Sequence, residues 1–209
     1  EDGCNDDTPQ IADGLSETND CIRHFHSDTR LGRGGALNAA FRQCKGTTLV
    51  YFDTDLATDM QHLETLVEQV RSDGYDIATG SRWLPASQAE RPADRQGASW
   101  MYNQLVRLFL CSNLQDHQCG FKAFDRDALL EVLPAVENDH WFWDTEVLVR
   151  AQARGFEVTE FPVEWTPKPD TKVDLIGDSS RMGKEILRLW WDLRVEQRLP
   201  NTSGSPTQP

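Results

Sequence analysis

Lysine is scarce in this chain: five residues (Lys45, Lys122, Lys168, Lys172 and Lys184) in 209, with arginine supplying the other sixteen of the 21 basic side chains. Against them stand 34 Asp and Glu, for a net charge of −13. A balance so acidic excludes a nucleic-acid binder, because phosphate backbones are gripped by clustered cations. An Asp-rich, Lys-poor surface suits a protein that works in high salt, where screening relieves self-repulsion. The plainer alternative is an ordinary acidic cytosolic protein. Cysteine is also thin: Cys4, Cys21, Cys44, Cys111 and Cys119 are odd in number, widely spaced and without a C-x-x-C. Neither a zinc site nor a disulfide framework is expected, and the thiols read as reduced. No stretch reaches the ~18–20 apolar residues of a bilayer-crossing helix, and no signal peptide is found. The initiating Met is lacking as well, and Glu1-Asp2-Gly3 reads as the end of a strand whose body precedes it.

What is present centres on Thr47-Thr48-Leu49-Val50-Tyr51-Phe52-Asp53-Thr54-Asp55. An apolar run of that length predicts a strand buried on both faces of a parallel sheet. Open α/β sheets bind ligands beyond the carboxyl ends of their strands. Two carboxylates placed there, with no basic neighbour in sequence, concentrate negative charge that a hard divalent cation carrying phosphate oxygens would neutralise. An isolated Asp-x-Asp is equally a strand-to-helix turn, with Thr58 or Asp59 capping the next helix.

Around this stretch, strands and helices alternate. A turn at Glu1–Pro9 leads into a helix with Ile11, Ala12 and Leu15 as its apolar face, and Cys21–Phe25 reads as a short strand. Gly32-Arg33-Gly34-Gly35 opens a helix over Ala36–Cys44, where free N–H groups and a positive dipole end suit phosphate. Leu63, Leu66, Val67 and Val70 predict an amphipathic helix, and Tyr75–Gly80 the next strand, delivering Ser81-Arg82 to the same sheet edge. This βαβ order calls for a parallel sheet. It then breaks: Ser87–Asp94 reads as a polar loop. Arg95–Cys111 is a helix whose Trp100, Phe109 and Leu110 suit either a core or a membrane surface. Gln118–Phe124 alternates as a strand, with Lys122 facing the same way as Gly120 and Phe124. Trp141–Glu146 opens the helix Val147–Arg154, where Asp144 can be a simple N-cap. Phe156–Trp165 is a final strand, Pro167–Thr171 a loop, and Met182–Leu199 a helix with Trp190 and Trp191 on its apolar side. Residues 200–209 form a Ser/Thr/Pro/Gly tail expected to be disordered.

Taken in order, these segments resemble the family 2 glycosyltransferases of the GT-A fold, and within them the dolichyl-phosphate hexose synthases. Asp2-Gly3-Cys4-Asn5-Asp6-Asp7-Thr8 is similar to the family's Asp-Asp-Gly-Ser-x-Asp-x-Thr, with Glu1 and Cys4 departing. Leu31–Leu37 resembles its Gly-Lys-Gly-x-Ala segment, with Arg33 for Lys, and Asp53-Thr54-Asp55 matches its Asp-x-Asp. Gln118–Lys122, Trp143–Glu146, Pro162–Trp165 and Thr171–Val173 are most similar to the glucosyl branch. Mannosyl members often place Gln two residues past the second Asp; here Ala57 stands there, which leans away from GDP-mannose.

The resemblance implies a Rossmann-like, mostly parallel α/β sheet with helices on both faces, spanning residues 1–199, its first strand lying before Glu1. It implies an inverting hexosyltransferase, for protein N-glycosylation, that moves glucose (or mannose) from UDP-glucose or GDP-mannose to dolichyl or polyprenyl phosphate, from a peripheral position on the cytoplasmic face of the membrane. Asp53 and Asp55 would hold Mg²⁺ or Mn²⁺, with Asp2, Arg33, Asp53 and Lys172 around the nucleotide. Arg82, Arg95, Ser99 and Lys122 would hold the acceptor phosphate. Asp144, Arg82 and Lys122 are the catalytic candidates, although an already dianionic phosphate needs no strong base. A haloacid-dehalogenase-type phosphatase also carries Asp-x-Asp after an apolar strand, but Ala57 occupies its Thr/Val position. A non-catalytic sugar-nucleotide domain and a transferase acting on a polysaccharide hydroxyl are the remaining alternatives.

Overall fold

The computed structural model describes residues 1–89, 93–167 and 175–196, the side chains of 93–95 and 175–180 excepted. Lys172, the Thr171–Val173 segment and the 200–209 tail lie outside the described residues, as does the side chain of Arg95.

Four strands form the central sheet: β1 (Thr48–Phe52), β2 (Ile77–Ser81), β4 (Phe121–Asp125) and β5 (Val158–Pro162). Their order is β1-β4-β2-β5. β4 runs antiparallel to both β1 and β2, while β2 and β5 pair in parallel. Three strands therefore run one way and β4 is threaded between them in reverse, giving a mixed sheet; β1 pairs only with the antiparallel β4, at an edge, so its expected place buried within a parallel sheet is corrected. The reason lies between β2 and β4. The long helix α4 (Ala93–Leu110) stands off the sheet, so the chain returns from it without the crossover a parallel strand requires.

Period-two alternation sorts the strand residues onto two faces. Leu49, Tyr51, Ile77 and Phe124 join a core with α2 (Arg33–Gln43), α5 (Arg126–Val132) and α6 (Trp143–Ala153). Val50, Ala78, Phe121 and Ala123 face the opposite way, onto Leu66 and Val70 of α3 (Leu63–Arg71). A third cluster lies beside the sheet, where Tyr102 and Val106 of α4 meet Val149 of α6 and Ile186 and Leu189 of α7 (Leu175–Glu196). The core role expected of α4 is real for that side of it, while Trp100, Met101 and Leu108 are exposed.

Several boundaries differ from expectation, each for a local reason. Cys21–Phe25 is not a strand: the segment after α1 (Thr8–Thr18) makes only an isolated bridge, Ser27 to Asp2. The Ser87–Asp94 loop contains a two-residue strand, β3 (Gln88–Ala89), paired in parallel with β6 (Glu164–Trp165). The expected final strand is thus split after Pro162, which has no N–H for a continuing ladder. Asp59 caps the turn before α3, accepting from the Gln61 amide at 2.8 Å. Asp144 is no cap, because α6 begins at Trp143 and carries it in the first turn.

Candidate active site

The strand β1 ends in a tight turn. The Asp53 amide donates to the Gly120 carbonyl at 3.0 Å, and the Ala57 amide donates to Asp55 Oδ1 at 3.0 Å. Leu56 between them takes a positive φ of 50°, a costly conformation for a side chain with γ-branching, and one typical of turns under functional constraint. The result is that Asp53 and Asp55 both stand in solvent at the carboxyl end of the strand. They open onto a groove of about 1400 Å³, which Asp2, Arg33, Arg82, Ser99 and Asp144 also line.

Arg33 sits at the middle of this constellation. One guanidinium nitrogen donates to Asp53 Oδ1 at 3.1 Å and the other to Asp144 Oδ2. Its Cζ lies 5.3 Å from the Tyr51 ring centre and 5.4 Å from that of Trp141. Burial opposes its charge, but Asp144 and Asp53 outweigh that and hold its pKa above the ordinary arginine value.

Asp144 is 3% exposed and is met by three donors. Besides Arg33, the Tyr51 hydroxyl donates to Oδ1 and the Lys122 ammonium pairs with the same oxygen at 3.0 Å. Burial pushes its pKa up to about 6, with Arg33 pulling the other way. Lys122 is fully buried; desolvation lowers its pKa to about 7, and it also donates to the Cys119 carbonyl. The resemblance places Lys122 at an acceptor phosphate; in the structure its ammonium is buried against Asp144. Side-chain alternation in β4 aims it at the core face, beneath Asp144, and not at the groove wall.

Arg82 lines the groove and is tied to Asp116. Nε and Nη2 donate to Asp116 at 2.7 and 2.9 Å, and the Arg82 amide adds a third bond at 3.0 Å. Asp116 is wholly buried and itself accepts the Gln118 amide at 3.1 Å. This fork fixes one edge of the guanidinium and leaves its pKa above the ordinary value, burial notwithstanding. Asp2 spends its carboxylate on the Leu31 and Gly32 amides, at 2.5 and 2.9 Å, and so shapes the loop entering α2.

The glycine cluster also does something other than expected. The Gly34 and Gly35 amides donate to the Asp139 carbonyl at 2.8 and 3.1 Å, so they are not free for phosphate. A Cβ on Gly34 would lie 2.7 Å from Trp143, and Gly32 holds φ at +82°. Glycine is needed here for close packing of α2 against the start of α6.

The described residues hold no cluster of three or more His, Cys, Asp or Glu side chains placed for a metal. The paired oxygen donors of Asp53 and Asp55 still fit a hard cation that takes its other ligands from phosphate and water. Sequence reasoning missed Tyr51, Asp116 and Trp141. Tyr51 is on β1, two residues before Asp53, and that spacing was the available signal. Asp116 and Trp141 become visible only when β4 and α6 are packed.

The family model for Glycosyl transferase family 2 matches residues 1–133. Glycosyltransferase AglD of Haloferax volcanii is 64% identical over 95% of this chain, which corresponds to 32% of that protein. The dolichyl-phosphate beta-glucosyltransferase ALG5C of Trichomonas vaginalis is 31% identical over 84% of this chain and 54% of its own. The chain thus spans between a third and about half of these relatives. Among solved structures, glucosyl-3-phosphoglycerate synthase from Mycobacterium tuberculosis with uridine diphosphate superposes with a TM-score of 0.63 at 16% identity, covering 91% of this chain and 66% of that one. The same enzyme with Mn²⁺, uridine diphosphate and glucosyl-3-phosphoglycerate gives 0.61 at 15% identity, over 92% and 66%.

Proposed function

The chain belongs to Glycosyl transferase family 2, and on that premise we propose that it moves a hexose from a nucleoside diphosphate sugar to the phosphate of a dolichol or other polyprenol at a membrane surface. The observation that carries this reading is the groove itself. Its lining combines Asp53, Asp55 and Arg33 with Met101, Leu105, Met182 and Ile186 of α4 and α7. The charged residues suit a diphosphate, and the apolar ones suit an isoprenoid. The dolichyl-phosphate beta-glucosyltransferase relatives support the acceptor class, and Ala57 after Asp53-Thr54-Asp55 favours glucose as the hexose.

Asp53 and Asp55 would hold the divalent ion, Mg²⁺ or Mn²⁺. Bound there, it would supply Lewis-acid charge to the leaving diphosphate. Arg33 contributes fixed positive charge beside the same phosphates, held in place by two carboxylates and two aromatic rings. Arg82, oriented by Asp116, offers its remaining N–H groups toward the groove for the acceptor phosphate, with Ser99 nearby on the wall. Asp144 orients Arg33 and Lys122 and accepts the Tyr51 proton bond. With three donors on its two oxygens it serves as an organising centre, because a dianionic acceptor needs no base. Attack opposite the leaving diphosphate inverts the anomeric carbon.

A transfer to a sugar hydroxyl is the second reading, favoured by one observation: at about 6, the Asp144 pKa leaves a carboxylate ready to take a proton at neutral pH. No described helix is long and apolar enough to cross a membrane. Contact with lipid is proposed instead through exposed Trp100, Leu108, Leu187 and Trp191, from the cytoplasmic face. The deciding experiment incubates the full-length protein with labelled UDP-glucose or GDP-mannose, Mn²⁺ and dolichyl phosphate. A chloroform-soluble, mild-acid-labile labelled product is expected. Label appearing only in free sugar or in a polysaccharide would refute the acceptor.

A further inference from the structure

Three aromatic residues in a row open α6, and they have different fates. Phe142 and Trp143 are 2% and 0% exposed, whereas the Trp141 side chain is 54% exposed and lines the groove. Tryptophan is costly to leave in water, and an exposed indole lining a groove is characteristic of a binding residue. Its position is not loose. On one side the Asp139 carbonyl is held by the Gly34 and Gly35 amides; on the other Trp143 is buried against Gly34, with its Nε1 donating to Asn38 at 2.8 Å. The backbone at Trp141 lies between these anchors, and its ring meets the Arg33 guanidinium.

The ring stands one guanidinium away from both carboxylates of the site. Arg33 Cζ is 5.4 Å from its centre, and that guanidinium bonds Asp53 and Asp144. In a nucleoside diphosphate sugar the hexose is bonded directly to the terminal phosphate. If the diphosphate lies at Asp53 and Asp55, the pyranose ring must lie beside it, within reach of Trp141. A pyranose has a polar edge and apolar faces of axial C–H groups. The Arg33 guanidinium lies over one face of the indole; the face it leaves exposed, with its negative quadrupole, would attract those C–H groups, while the carboxylates could accept from hydroxyls at the edge.

Resting on the donor class proposed above, we infer that Trp141 is the platform on which the hexose of the donor stacks, and that it selects a sugar-loaded nucleotide over the bare one. A nucleobase is separated from the hexose by a ribose and two phosphates, so it would lie outside the reach of this ring. An isoprenoid fits better against Met101, Leu105, Met182 and Ile186.

The test measures affinities of the full-length wild type, Trp141→Phe and Trp141→Ala for UDP, UDP-glucose, GDP and GDP-mannose by calorimetry in Mn²⁺ buffer. Far-UV dichroism and melting confirm that each variant is folded. For the preferred donor, Trp141→Ala is expected to weaken the nucleotide sugar about 3- to 10-fold, with the bare nucleotide unchanged and Trp141→Phe intermediate. Equal weakening of sugar nucleotide and bare nucleotide would place the indole on the nucleotide and overturn the inference. No change in either would overturn it too. If the wild type binds neither sugar nucleotide, the donor class itself falls, which is a distinct result from a variant that loses only the sugar's share.

Discussion

Replacing Gly120 by Ala tests the proposed metal site without substituting a proposed ligand. Gly120 is buried at the entry to β4, and its carbonyl receives the Asp53 amide at 3.0 Å. Its φ is not positive, so its backbone accepts an L-residue. What the position lacks is room: a Cβ there would overlap the Asp53 carboxylate, the nearest group in its path. That carboxylate is the free end of a side chain 49% exposed, so it can swing into solvent at modest cost. The destabilisation is expected near the low end of overpacking, about 1 kcal/mol. The displacement breaks the 3.1 Å pair with Arg33 and removes one of the two oxygen donors from its place beside Asp55. Loss of ligand orientation costs metal sites about 10–100-fold in affinity or activity, and that range is the expected rise in the Mn²⁺ concentration needed for half-maximal transfer. Transfer assayed across a Mn²⁺ series, with a thermal melt of each protein, reads both effects. A folded Gly120→Ala enzyme with the wild-type Mn²⁺ requirement would refute the placement of Asp53 in the metal site.

Three further outcomes are expected. Asp144→Asn should cost transfer well under the ~10²–10⁴-fold typical of a lost general base, with an unmoved acid limb in the pH–rate profile; a full-sized loss with a shifted limb would favour the hydroxyl acceptor. Lys122 has a folded pKa of about 7 against an ordinary 10.5, so its stabilising share is complete above 10.5 and lost as pH falls through 7. Wild type should accordingly gain stability relative to Lys122→Met as pH rises across that window, and parallel melting curves would contradict the buried-lysine account. Trp191 is 64% exposed, whereas Trp190 packs into the α4–α7 cluster beneath Arg194, 4.0 Å from its ring. Trp191→Ser should reduce liposome flotation at unchanged melting temperature, and flotation of the wild type should strengthen with KCl as the −13 charge is screened. Equal flotation of variant and wild type at every salt concentration would rule out that contact.

Much of this protein is determined by the order of its residues. The run Thr48–Phe52 ending in Asp53 and Asp55 specifies a strand with carboxylates at its carboxyl end, because a strand's end cannot bury charge; its burial was decided by the sheet, where β1 lies at an edge with Leu49 and Tyr51 buried, Thr48 and Val50 half-buried and Phe52 exposed. The periodicity of Leu63–Val70 likewise determines α3, and its apolar stripe has only the sheet to meet. Other features depend on partners distant in sequence, which local pattern does not encode. The direction of β4 was decided by where α4 packs. Alternation put Lys122 and Phe124 on one face, yet only the assembled core shows that this face is the interior, with Asp144 22 residues further on as the partner. The Gly32–Gly35 cluster looks the same in sequence whether its amides meet a phosphate or a carbonyl. The approach of Asp139 and Trp143 settled the matter, because buried donors must be paired and a backbone that close leaves no space for a Cβ. Tyr51, Asp116 and Trp141 became site residues in the same way, through tertiary contacts that join chain segments up to 108 residues apart, as 141 − 33 = 108 for Arg33 and Trp141.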